Sequence, residues 1–255
     1  MTPMIMVAPN GARLKPEVHP GVPVTDDALI EAGRACHAAG AHALHAHLRD
    51  GHGDHLLDVA RYQRLLSEFA AQVPGLKIQV TSEAAGLYSS DAQIRLLRQL
   101  QAPWVSLAVR EITRHQAMPT LMSFFSRLSI DLEIQFILYD PSDLHLLWRM
   151  QSEGVLGDRP LDLLYVLGRY TEQRESTPAM LDPFLAAVGQ ADGAQRPRSQ
   201  MVCAFGRGQI DCLRIAAAAR LDLRVGFENG VWRRDGSIAR SNVDLIDDLH
   251  DALGA

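Results

Sequence analysis

Two histidines one residue apart are the first side chains in this sequence that point to chemistry: His45 and His47, in the run Ala43-Leu44-His45-Ala46-His47-Leu48-Arg49-Asp50. In an extended strand alternate side chains share a face, so both imidazoles point one way while Leu44, Ala46 and Leu48 pack the other. The pair alone is an incomplete metal site, because zinc takes three or four protein ligands. A third donor stands near the C-terminus, in Arg224-Val225-Gly226-Phe227-Glu228-Asn229. Read as a strand, that run puts Glu228 on the face of Arg224. A carboxylate beside two imidazoles then leaves one zinc position open for substrate.

What must bring these residues together is an alternation of elements. Residues 4–8 are a short apolar run closing in Pro9-Asn10-Gly11, which predicts a buried strand ending in a turn. Thr25 offers an N-cap to a helix that Gly40 stops. The histidine strand follows at 43–50, then a Gly-rich loop at 51–54 and a helix from Asp58 to about residue 73. Further strands are predicted at 77–81, 104–109, 132–139, 163–167, 201–205 and 223–227, and helices at 90–100, 119–128, 141–153, 178–188, 209–220 and 242–253. The stretch 189–199 reads as a surface loop. Eight strand–helix pairs with short connections predict parallel strands and helical crossovers, which in a chain of this length means a single-domain (β/α)8 TIM barrel over residues 1–255. A doubly wound open sheet is the rival, but no G-x-G-x-x-G follows the first strand.

Chemistry in such a barrel sits at the C-terminal ends of the strands. Those ends carry Asn10 and Arg13, the histidine pair, Thr81 and Glu83, and Ser106 and Glu111. The later ones carry Tyr139 and Asp140, Arg169, Arg207, and Glu228 with Asn229. His52 and His55 fall in the polar loop after the second strand and are read as solvated, with one of them able to line the mouth. The net charge of -5, with no Lys/Arg run, argues against nucleic acid and against an anionic membrane surface as partners. No uncharged run reaches transmembrane length. Three cysteines, an odd number in apolar segments, read as reduced thiols and a cytoplasmic location.

Beyond this, the sequence resembles the β-keto acid cleavage enzymes. The matching segments are Asn10-Gly11-Ala12-Arg13, His19-Pro20 with Pro23, Gly40-Ala41 with residues 45–50, and Gln79-Val80-Thr81-Ser82. Ser106-Leu107, Val166-Leu167-Gly168, residues 224–229 and Ser241-Asn242 continue the match in family order. The resemblance implies a zinc enzyme, one ion per chain, that takes a β-keto acid and acetyl-CoA to acetoacetate and a new acyl-CoA. It implies that His45, His47 and Glu228 are the metal ligands, that Arg224 is the active-site arginine, and that Thr81 and Ser106 contact substrate. It also implies a homo-oligomer, dimer or tetramer.

Two departures from the family pattern matter. The family's first-loop Gly-Ala-Glu, whose carboxylate receives the ammonium of 3-keto-5-aminohexanoate, is Gly11-Ala12-Arg13. Arg13 is therefore expected to contact substrate and to favour an anionic or polar β-keto acid over the aminated one. The family's Glu-Asp-Asn is Glu228-Asn229-Gly230. Asn229 can bind substrate but cannot take a proton, so the base is sought in Glu83, which replaces a family glycine, or in Glu111. Two rival readings are a zinc hydrolase on the same barrel and a small-ligand-binding barrel with impaired catalysis.

Overall fold

The structure is a computed structural model that describes residues 2–171, 173, 175–191 and 193–254. At its centre are eight parallel strands: β1 (Ile5–Val7), β2 (Ala43–Ala46), β3 (Lys77–Thr81), β4 (Trp104–Ala108), β5 (Glu133–Leu138), β6 (Asp162–Leu167), β7 (Ser199–Ala204) and β8 (Asp222–Val225). Each pairs with the next in sequence, and β8 pairs back with β1 in the register Ile5 to Leu223, closing the barrel. Around it run α1 (Asp26–Ala38), α2 (Val59–Gln72), α3 (Ser90–Gln99), α4 (Val109–Ile112), α5 (Met118–Phe125), α6 (Pro141–Ser152), α7 (Asp182–Val188), α8 (Gln209–Ala218) and α9 (Asn242–Leu253). The TIM barrel expected from the alternation is the fold observed.

The helix starts follow local chemistry. The side chains of Thr25, Asp58, Ser89 and Ser241 each accept a backbone N–H of the first turn, satisfying donors that a helix cannot pair internally. Outward strand residues such as Leu44, Ala46, Val80, Phe136 and Val202 pack with Leu29, Tyr62, Phe69, Phe124 and Leu213 of the helices in one apolar layer. A smaller cluster, including Met6, Ala43, Leu164, Met201 and Cys203, fills the barrel interior. All three cysteines are buried and unbridged. No described helix is long and apolar enough to cross a membrane.

Three departures from the sequence-based expectation shape the site. The strand predicted over 43–50 leaves the barrel after Ala46, and Leu48–Arg49 pair antiparallel with His55–Leu56 instead. The cause is tertiary: buried Asn10 donates its amide to His47 O and Pro23 O. The buried Arg49 guanidinium donates to the carbonyls of Asn10, Gly11, Leu14 and Gly53, tying the loop after β1 to this hairpin. After β4 the chain forms two helices, α4 and α5, where one is predicted from residue 119. Finally, β8 ends at Val225, two residues early. Gly226 has φ +145°, and a Cβ there would lie 2.3 Å from Ala8 O, so only glycine lets the strand turn against β1. Glu228 therefore reaches the interior from a turn, its N–H bonded to Ala8 O, and not through strand parity with Arg224.

Candidate metal centre and active site

His45 Nε2, His47 Nε2 and Glu228 Oε2 converge at the C-terminal mouth of the barrel. The two nitrogens are 3.1 Å apart, and the carboxylate oxygen is 3.7 Å from His45 and 3.5 Å from His47. These are the described residues whose donor atoms cluster closely enough to hold one ion. Donors on a tetrahedral zinc with bonds of about 2.0–2.2 Å stand about 3.3–3.6 Å apart, close to the spacing found. Gly11 makes room for the carboxylate: a Cβ at Gly11 would come within 2.5 Å of Glu228 Cγ.

The tautomers are set from behind. His45 Nδ1–H donates to Gln79 Oε1 at 2.7 Å, and Gln79 in turn donates to Gln135 at 3.0 Å. His47 Nδ1 faces His55 Nδ1 at 3.5 Å, while His55 Nε2–H donates to the carbonyl of Glu83 at 2.9 Å. That last bond leaves His55 Nδ1 as an acceptor, so the proton between the rings belongs to His47 and the Nε2 lone pair of His47 faces the cluster. Burial holds the His45 imidazolium form off until pH about 3 and, together with the neighbouring His47, that of His55 until about 4. Burial alone would raise the Glu228 carboxyl, but the Arg224 guanidinium beside it outweighs burial and keeps the group ionised, well below the ordinary carboxylate range. Three acceptors thus face one another with no donor between them. Such a set is repulsive until a cation fills it.

Arg224 reinforces the arrangement. Its Nη2 donates to Glu228 Oε1 at 3.1 Å and lies 3.3 Å from Cys203 Sγ, leaving Nε and Nη1 buried without a protein partner. Glu228 Oε2, both side-chain atoms of Asn229 and the Ser106 hydroxyl are likewise buried and unpartnered. Orphaned buried donors and acceptors gathered at one barrel mouth are groups awaiting a polar ligand. The sequence pattern of the beta-keto acid cleavage enzymes matches residues 3–255.

The chain belongs to that family.

Among its relatives are the 3-keto-5-aminohexanoate cleavage enzymes of Fusobacterium nucleatum and Acetoanaerobium sticklandii. Each is 22% identical over 96% of this chain, and the match covers 88% and 89% of the respective relatives. Among solved structures, ObcA superposes with a TM-score of 0.62 at 12% identity, covering 92% of this chain and 66% of ObcA, just under two thirds of that longer protein. ObcA has also been solved with oxaloacetate, and with a C4-CoA adduct and oxalate. A type I 3-dehydroquinate dehydratase from Clostridium difficile shares the barrel with a TM-score of 0.59 at 11% identity.

The remaining site residues of this β-keto acid cleavage family member fall into two connected spaces. A narrow inner cavity beside the cluster is lined by His45, Thr81, Glu83, Tyr139, Arg169 and Arg224, among others. It opens past Glu83 and Arg169 into an outer cleft of about 450 Å³ whose walls include Arg13, Asn229 and Trp232. Thr81 accepts the Glu83 N–H at 3.1 Å and pairs in register with Ser106, which lines neither space. Glu83 and Glu111, both candidates for the base in the sequence, separate clearly. Glu111 accepts from Ala84 N–H and from Gln93 and lines neither space, a loop-holding role. Glu83 faces both spaces, 3.9 Å from His47 Nε2 and 2.7 Å from Arg13 Nη1. Burial pushes its carboxyl up, yet the Arg13 guanidinium paired with it holds it below its ordinary value.

Arg13 stands at the mouth as expected, but its charge is matched by Glu83, which limits what it alone can offer an anion. His55, read from its polar loop as solvated or as lining the mouth, is buried against His47. The only signal in the sequence is turn chemistry: Asp50 and Asp54 around Gly51-His52-Gly53 close a hairpin that carries residue 55 back over residue 47. Gln79 stands in the sequence only as part of a family segment, and Arg169 only as a residue at a strand end, so neither role is visible there.

Proposed function

We propose that this chain is a zinc-dependent β-keto acid cleavage enzyme, one ion per chain, converting a β-keto acid and acetyl-CoA into acetoacetate and a new acyl-CoA. The observation that carries the reading is the trio of mutually facing acceptors at zinc spacing, His45 Nε2, His47 Nε2 and Glu228 Oε2, backed by Arg224 with two unpartnered donors. Held by that trio, zinc supplies Lewis-acid polarisation of the β-carbonyl. Arg224 directs Nε–H and Nη1–H at the charge that develops on the substrate oxygens, and it does so without losing a proton itself. Glu83, ionised and oriented by Arg13, accepts a proton from the substrate carbon between carboxylate and ketone, the task Asn229 cannot perform. Thr81 and Asn229 offer hydroxyl and amide groups to substrate oxygens, while Ser106, which lines neither space, keeps only its place in register beside Thr81, and the outer cleft admits acetyl-CoA. The same reading takes the enzyme as a cytoplasmic homo-oligomer, dimer or tetramer, working on small molecules and on neither nucleic acid nor membrane.

Elemental analysis of the purified protein is expected to give about one zinc per chain, and a screen of β-keto acids to give acetoacetate only when acetyl-CoA is present. Consumption of substrate without acetyl-CoA would point instead to a hydrolase, and metal-free, inactive protein to a binding barrel. His55→Phe keeps a buried ring but removes the acceptor for His47 Nδ1–H. It is expected to weaken zinc binding by roughly tenfold to hundredfold in a chelator competition titration. Wild-type affinity in that variant would show that His55 plays no part in orienting His47.

A further inference from the structure

Among the described residues around the neck between the two spaces, one guanidinium lacks a carboxylate within hydrogen-bonding distance. Glu83 is matched by Arg13 at 2.7 Å, and Glu228 by Arg224 at 3.1 Å. Arg169 has no such partner: its nearest described carboxylate oxygen, on Glu83, is 4.0 Å away, outside hydrogen-bonding distance, and it makes no hydrogen bond to any other described residue. Yet its side chain is only 11% exposed. The guanidinium lies 5.2 Å from the centre of the Phe205 ring and 5.6 Å from that of Tyr170. The turn that delivers it from β6 is closely packed at Gly168, which has φ +78° and where a Cβ would sit 2.8 Å from the backbone of Glu175 and Ser176. A pinned, largely desolvated guanidinium on an aromatic platform is preorganised for a carboxylate, and it is costly to leave unpaired.

Its position says which anion. The Glu83 carboxylate lies 4.0 Å from Arg169 and 3.9 Å from His47 Nε2, so this guanidinium stands within one carboxylate's span of the metal cluster. Arg169 shares the inner cavity with His45 and Thr81. A β-keto acid bound by its reacting end at the cluster would direct its far end along the inner cavity toward this guanidinium. We infer that Arg169 reads the far end of the acyl chain and that the substrate is a short β-keto dicarboxylate, an inference that rests on the cleavage reading above. The charge preference expected of Arg13 passes to Arg169, because among the described residues of the neck only Arg169 keeps its charge unmatched.

The test compares 3-oxoadipate with 3-oxohexanoate, which have the same chain length and differ in one terminal carboxylate. In the zinc-loaded enzyme with acetyl-CoA, kcat/KM is expected to favour the dicarboxylate by roughly tenfold to hundredfold, expressed in KM. Arg169→Met should bring that ratio close to unity, and Arg169→Lys should retain part of it. A calorimetric arm measures the Kd of both acids for the zinc-loaded protein without acetyl-CoA and is expected to show the same preference. Equal Kd values in the wild type overturn the assignment, as does a preference that survives Arg169→Met but is lost in Arg13→Met. A raised KM for acetyl-CoA in Arg169→Met with the dicarboxylate preference intact also overturns it and gives the guanidinium to CoA. Selective binding without turnover of any β-keto acid supports the assignment and overturns the cleavage reading.

Discussion

Glu228→Gln is expected to yield protein with almost no bound zinc and with acetyl-CoA-dependent cleavage reduced on the order of a thousandfold. The substitution keeps the size of the side chain, so Gly11 still accommodates it and the turn after Gly226 is unchanged. What it removes is the negative charge that faces His45 and His47 at 3.7 and 3.5 Å, and with it the anionic third ligand. It also strips Arg224, 2% exposed, of its 3.1 Å carboxylate partner. An uncompensated buried guanidinium costs about 3–5 kcal/mol, so a lowered unfolding midpoint should accompany the lost metal. Metal content by elemental analysis, cleavage rate and thermal unfolding are three separate readouts. A Glu228→Gln protein that holds zinc as tightly as the wild type and turns over β-keto acid would remove this carboxylate from the metal site.

The second large effect concerns acid. In chelator-treated protein His45 takes up its proton only near pH 3 and His55 only near pH 4, against 6.5 for an unburied imidazole. Burial is the leading cause for both. His45 faces Glu228, Arg224, His47 and Gln79, whereas His55 faces His47, Glu83 and Arg49. Because the folded values are depressed, the unfolded chain binds more protons between about pH 6.5 and 4, and stability falls as pH falls through that window. Each tenfold loss of proton affinity on folding is worth about 1.4 kcal/mol, so two such groups together remove several kcal/mol, a large part of a typical domain's stability. Glu228 and Glu83, both depressed, add loss in the same direction at lower pH. Denaturant titrations of the metal-free protein from pH 7 to 4 should show steeply falling stability, and His55→Gln should flatten part of that slope. A pH-independent unfolding free energy across the window would contradict the burial of these neutral rings.

Much of this protein is legible from local patterns. Period-two and helical spacing, helix starts at Thr25 and Asp58, and glycine stops are enough for eight strand–helix pairs, because each of those signals acts within a few residues of chain. The family segments then point to His45, His47 and Glu228, and these converge as expected. The route by which Glu228 arrives is not the one strand parity implies, since parity holds only inside a strand and Gly226 breaks β8 against the carbonyl of Ala8, more than two hundred residues away.

The sequence by itself determined the barrel and the identity of the three facing donors, for both follow from short-range spacing and from residue types in a family pattern. Only the tertiary structure decided that His55 backs His47, that Gln79 backs His45, that Glu83 and not Glu111 faces the cavity, and that Arg169 has no carboxylate within hydrogen-bonding distance among the described residues. The reason is physical: whether a buried charge or lone pair is satisfied depends on atoms brought together by strand closure and by the hairpin that folds residue 55 over residue 47. No spacing along the chain encodes which partners those atoms will meet.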